Sequence, residues 1–213
     1  MMTYSDRRAG LAVLACVLSF TFCVNAQAQD RMPPIPAEKM SEDQKKAAAE
    51  YMAARGPLTG PWVAIVRSPD MLNRARALSD YVRFNSSLPP RLSEFVILIT
   101  AREWAQPYEW NAHHALALKG GLNPDIAKAI AEGRRPQRMA DDEEAVYDFC
   151  TELHGNHSVS DATYARVLSK FGERGVIDMI GLSGWYTLVS MVLNTVRTPL
   201  PAGAAPALAP LPR

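Results

Sequence analysis

A chain of 213 residues, 48% hydrophobic and 21% charged, can bury the core of one ordinary domain, and its net charge of +1 excludes the concentrated basic surface that nucleic acid requires. Of its three cysteines, Cys16 and Cys23 fall in an N-terminal apolar segment, which leaves Cys150 alone in the remainder. A single thiol excludes an internal disulfide framework and a dithiol redox centre, so stability must come from packing.

In chain order, Arg7 and Arg8 precede an uncharged apolar stretch from Leu11 to Val24, and Ala26-Gln27-Ala28 offers small residues for cleavage. Residues 1–28 therefore read as a secretory signal, shorter than a membrane span, which predicts a periplasmic or secreted protein with no stable membrane anchor. Gln29 to Pro36 is polar and proline-containing, and Pro199 to Arg213 is Ala/Pro-rich; both ends are expected to lack regular order. The helical domain is expected over residues 29–198.

Between these ends the punctuation is that of an all-α domain of about seven helices. Ser41 caps a helix that Gly56 stops; Ser68-Pro69 and Pro89-Pro90 open two more, the second running to about Trp104. Pro107 opens PYEWNAHHALALK, and Asn123-Pro124 starts a short helix ending at Gly133. Met139 to His154 is expected to end at Gly155, Ser160 starts a helix that Gly172 ends, and a last helix runs from about Glu173 to Arg197. The run FVILIT, Phe95 to Thr100, suits a buried strand as well as a helix; a lone strand would have no partner, which favours the helix. Met179 to Val196 carries no charge over a near-span length. Yet Ser183, Thr187, Ser190 and Asn194 recur on one helical face, which favours a soluble core helix, and Gly181 and Gly184 would admit another backbone at a subunit contact.

The chemistry-bearing segment is the helix opened by Pro107. Gln106 takes the cap position and Glu109 the third helical position, where a carboxylate can reach back to the capping amide and face the positive end of the dipole. Glu109 also lies four residues before His113, on the same face, where it would raise the proton affinity of the imidazole. Both readings stay open from sequence: a capping acid beside an ion-paired histidine, or a proton-transfer pair. His114 falls 100° further round, so only one of the two histidines can face a shared site.

The run LSEFVILITAREWAQPYEWNAHHALALKGGLNPDIAKAI resembles the core of the carboxymuconolactone decarboxylase and alkylhydroperoxidase D-like superfamily, in which an L-x-E helix leads into a helix bearing Cys-x-x-Cys or Y-E-W-x-x-H. The likeness covers about forty residues closely, and the later helix order also fits. Gln106 and Glu109 stand at the positions matching the two cysteines, while Glu94 and His113 match the family's acid and histidine. Without those thiols the dithiol peroxidase mechanism has no nucleophile here, so the resemblance is to the cysteine-free, decarboxylase-type branch.

That resemblance implies a lyase-like activity, decarboxylation or isomerisation of a small carboxylated or lactone-like substrate. His113, Glu94 and Glu109 would be the catalytic groups, and Tyr108, Trp110 and Arg102 the substrate contacts. It also implies a homo-oligomer, trimer or hexamer. The lactone carbonyl can absorb carbanion character, so neither a metal nor an organic cofactor is required, only a placed acid. A cation must offset the glutamates, with Arg91, Arg102 or protonated His113 as candidates. The competing expectations are a non-catalytic binding module with Trp110, Trp185 and Tyr186 around an apolar pocket, and a thiol peroxidase dependent on Cys150.

Overall fold

A computed structural model describes residues 29–204 and Leu208, so the expected signal segment lies outside the described residues. These residues form eight α-helices and no strand: α1 Glu42–Arg55, α2 Pro61–Ile65, α3 Pro69–Phe84, α4 Pro90–Glu103, α5 Pro107–Lys119, α6 Pro124–Ala131, α7 Asp141–Asn156 and α8 Asp161–Val196. The all-α architecture is as the punctuation predicts.

Helix α4 is the centre of the domain and packs against α5, α6, α7 and α8, while α1, α2 and α3 close one side. FVILIT is its buried segment, with Phe95, Val96, Ile97, Leu98 and Thr100 fully shielded from water. This explains why the run shows no polar face. Burying it all round removes the cost that such a helix would meet at a surface.

Gly172 breaks α8 as expected: at φ 67° it leaves helical geometry, and the chain resumes as a helix immediately after it. The polar stripe of α8 runs from the interior at Ser183 and Ser190 to the surface at Asn194. Ser183 and Ser190 are buried, and Asn194 accepts from Gln106 Nε2 at 2.9 Å while donating to the Trp104 carbonyl at 3.0 Å. By length and composition α8 alone among the described residues could cross a membrane; 56% of that apolar window is buried inside the fold. Gly181 sits against Val82, whereas Gly184 faces open space.

Two expectations are corrected, and one short helix goes unforeseen. Helix α7 runs past Gly155 and ends where His157 takes a left-handed conformation (φ 56°). The short α2 carries no readable period because five residues make barely one turn. The stretch before α1 is fastened down: the Arg31 amide donates to the Val196 carbonyl at 2.8 Å, Arg67 donates to the Pro33 carbonyl at 2.6 Å, and Ile35 packs on the core. At the other end, Leu208 of the Ala/Pro-rich tail is also buried.

Candidate active site

The turn between α4 and α5 places the site. Trp104 ends α4, Ala105 takes φ 45°, its amide donates to the Arg102 carbonyl at 3.0 Å, and the Gln106 amide donates to the Ala101 carbonyl at 2.8 Å. This is a Schellman closure with alanine at the left-handed position. It consumes the amide that a capping Glu109 would need. The cap of α5 is instead the Gln106 side chain, accepting from the Tyr108 amide at 2.6 Å.

Glu109 is thereby released from capping, and it is turned inward with only 4% exposure. Its Oε2 lies 3.4 Å from Nε2 of His113, one turn on and equally buried. The other ring nitrogen, Nδ1, lies 2.7 Å from Oε2 of Glu94 on α4. From α8, the Tyr186 hydroxyl reaches Nε2 at 3.2 Å, with the two rings edge to face at 5.0 Å. Burial works against the imidazolium, but the Glu109 and Glu94 carboxylates outweigh it and raise the His113 pKa above its ordinary value. Burial also pushes the Tyr186 phenol well up, so it stays protonated. Because the two glutamates address opposite edges of the ring, they do not converge on one point. Among the described residues no cluster of three His, Cys, Asp or Glu side chains is placed to hold a metal ion.

His113, Glu109 and Tyr186 open onto a cavity of about 180 Å³. Tyr108 lies on its wall as expected, packed so closely over Gly60 that a Cβ there would stand 2.8 Å from its ring. Trp185 and Trp62 form another wall, their ring centroids 5.6 Å apart.

Two expected substrate contacts lie elsewhere. Trp110 is a core residue, 1% exposed and stacked on His114, because it projects 100° round from Glu109 into the packed side of α5. Arg102 donates to the Ala131 carbonyl at 3.1 Å and so serves the end of α6. Arg91 is likewise engaged, with Asp142 and Glu143 of α7. The cations at the cavity are Arg55 from the end of α1 and Arg83 from the end of α3, neither foreseen from sequence. Both look locally like ordinary basic residues of a last helical turn, and only the tertiary fold brings them to His113. Cys150 is outside the cavity, wholly buried, with its Sγ 3.8 Å from Ser183 Oγ, and burial pushes its pKa up to about 12.

No protein-family model matches the chain, and no curated protein matches it in sequence. Solved structures do match its fold. A peroxidase-related protein with an alkylhydroperoxidase AhpD core from Ralstonia eutropha JMP134 superposes with a TM-score of 0.65 at 16% identity, covering 81% of this chain and 92% of that one. A peroxidase-related protein from Silicibacter sp. TM1040 gives 0.65 at 15% identity, covering 85% and 97%. The debrominase Bmp8, in a variant bound to 2,3,4-tribromopyrrole, gives 0.64 at 11% identity, covering 83% and 94%. The chain therefore has the alkylhydroperoxidase D-like fold.

Proposed function

We propose that this protein is a cofactor-independent proton-transfer enzyme, decarboxylating or isomerising a small carboxylated or lactone-like substrate. The observation that carries the reading is His113, its Nδ1 fixed by Glu94 and its Nε2 presented to a cavity between Glu109 and Tyr186. In the imidazolium form Nδ1–H is committed to Glu94, and Nε2–H is the proton available to a substrate carbon. When Nε2–H points to the Tyr186 oxygen, the phenolic O–H is left to donate into the cavity, where it can meet a developing enolate oxygen. Glu109 then stands beside Nε2 as the carboxylate that accepts a proton on the same wall.

Thiol chemistry is the less favoured reading. Debromination and peroxide reduction by a cysteine both need an accessible thiolate, and Cys150 is buried, protonated and away from the cavity. Residues 1–28 support export of the mature domain to the periplasm or beyond. Exposed apolar side chains on α3 and α8, among them Phe84, Ile177 and Ile180, support assembly into a homo-oligomer.

The test is incubation of the purified protein with γ-carboxymuconolactone while carbon dioxide release and lactone absorbance are followed, beside a His113→Gln control. Turnover abolished in the control is the expected result. Turnover that survives the substitution overturns the role of His113, and saturable binding without product moves the reading to a binding module walled by Trp62 and Trp185.

A further inference from the structure

The charges facing the cavity are not equally engaged. Arg55 is tied to the Asp80 carboxylate through Nε and Nη2, touches the Ser79 hydroxyl at 3.3 Å, and lies over the Trp62 ring at 5.3 Å. His113 is flanked by two glutamates. Arg83 differs: among the described residues it makes no ion pair, its neighbour is the Phe84 ring at 4.9 Å, and its buried Nε has no acceptor. A guanidinium at a cavity wall that makes no ion pair and holds a buried Nε without a partner has donors to offer an anion entering that cavity.

The charges of the lining bias how an anion enters. Glu109 disfavours a carboxylate beside Nε2 of His113, whereas Arg83, on the same cavity, attracts one. Trp62 and Trp185, packed on each other at 5.6 Å, add an apolar wall. A volume of about 180 Å³ is below the range of roughly 300–1,000 Å³ usual for drug-sized ligands, so the body is a single ring or a short chain. We propose that Arg83 is the specificity-determining anion anchor of this cavity, which takes a small monocarboxylate with its carboxylate on Arg83 and its reactive carbon towards His113. This deepens the proposed function and rests on the cavity being the substrate site.

Isothermal titration calorimetry of the full chain with 2-furoate and with its neutral isostere 2-furamide tests it. The unsubstituted protein is expected to bind 2-furoate saturably and in preference to 2-furamide. Arg83→Gln should weaken 2-furoate by about tenfold or more, leave 2-furamide unchanged, and so erase the preference, as expected for loss of a charge-assisted hydrogen bond. Arg83→Lys should restore part of the preference, and it carries the comparison if the glutamine variant does not fold. Equal binding of 2-furoate by the unsubstituted and Arg83→Gln proteins overturns the proposal, as does an unsubstituted protein that fails to prefer the carboxylate. Carboxylate-selective binding that depends on Arg83, found together with turnover that survives His113→Gln, would leave the anchor standing while the proton-transfer reading fell.

Discussion

Glu94 Oε2 lies 2.7 Å from Nδ1 of His113, a contact between α4 and α5 that fixes which ring nitrogen faces the cavity. Replacing Glu94 with Gln keeps a hydrogen-bonding group of the same shape and removes its charge. Turnover should fall by about 10²-fold or more, in line with the usual worth of a positioned general acid or base, and the pH optimum should move down as the imidazolium loses support. Steady-state rates across pH 5–9 check both; an unshifted profile would show that Glu94 only packs.

The raised pKa of His113 also predicts a stability signature. The folded state holds this proton more tightly than the unfolded chain, so the contribution is fully present below about pH 6.5 and is lost as pH rises through the folded value. Urea midpoints should therefore decline from pH 6.5 upward in the unsubstituted protein. In His113→Gln that component of the decline should vanish.

Asp178 gives the opposite sign. Nearly buried on α8, it accepts from Tyr81 Oη at 2.8 Å and from the Ser87 amide and hydroxyl at 2.7 and 2.8 Å. Burial opposes its charge, but the Ser87 and Tyr81 bonds prevail and lower its pKa. Its stabilisation is present above its ordinary value of 3.8 and lost as pH falls through the folded value. Asp178→Ala strands three donors and should cost ~3 kcal/mol by denaturant unfolding at pH 7.

Ala105 occupies a left-handed backbone position at the turn that launches the site helix. Ala105→Gly relieves a Cβ clash there and should stabilise the protein by ~0.5–1 kcal/mol, with activity unchanged. Gly60→Ala is the reverse case. At φ 55° and 2.8 Å from Tyr108 it should lose ~2 kcal/mol and displace that ring from the cavity wall.

Cys150 should resist alkylation at pH 8 in the native state and react only on unfolding, because it is wholly buried and burial pushes its pKa up to about 12. Rapid native-state labelling with a maleimide, read by mass spectrometry, would contradict this.

What the sequence revealed and concealed follows one physical division. The Glu109–His113 pairing is helical spacing, and the FVILIT core and the Gly172 break are local pattern and local backbone, so all were legible before the fold was known. Glu94 became visible only through resemblance, since nineteen residues separate it from His113. Arg55 and Arg83 left no trace, because their meaning depends on α1 packing on α3 and α3 on α8. Trp110 misled because it adjoins Glu109 in sequence, although adjacent helical residues point in different directions.

The pairing of Trp62 with Trp185 gives the cavity an optical voice of its own. Two of the chain's four indoles sit 5.6 Å apart on its wall, while Trp110 is sealed in the core. A guest in the cavity would change the polarity around the first two and leave the third in constant surroundings. The protein thus carries a reporter pair beside a shielded reference, with the part-exposed Trp104 as a further emitter, and a shift in emission on adding a ligand is the expected sign of occupancy.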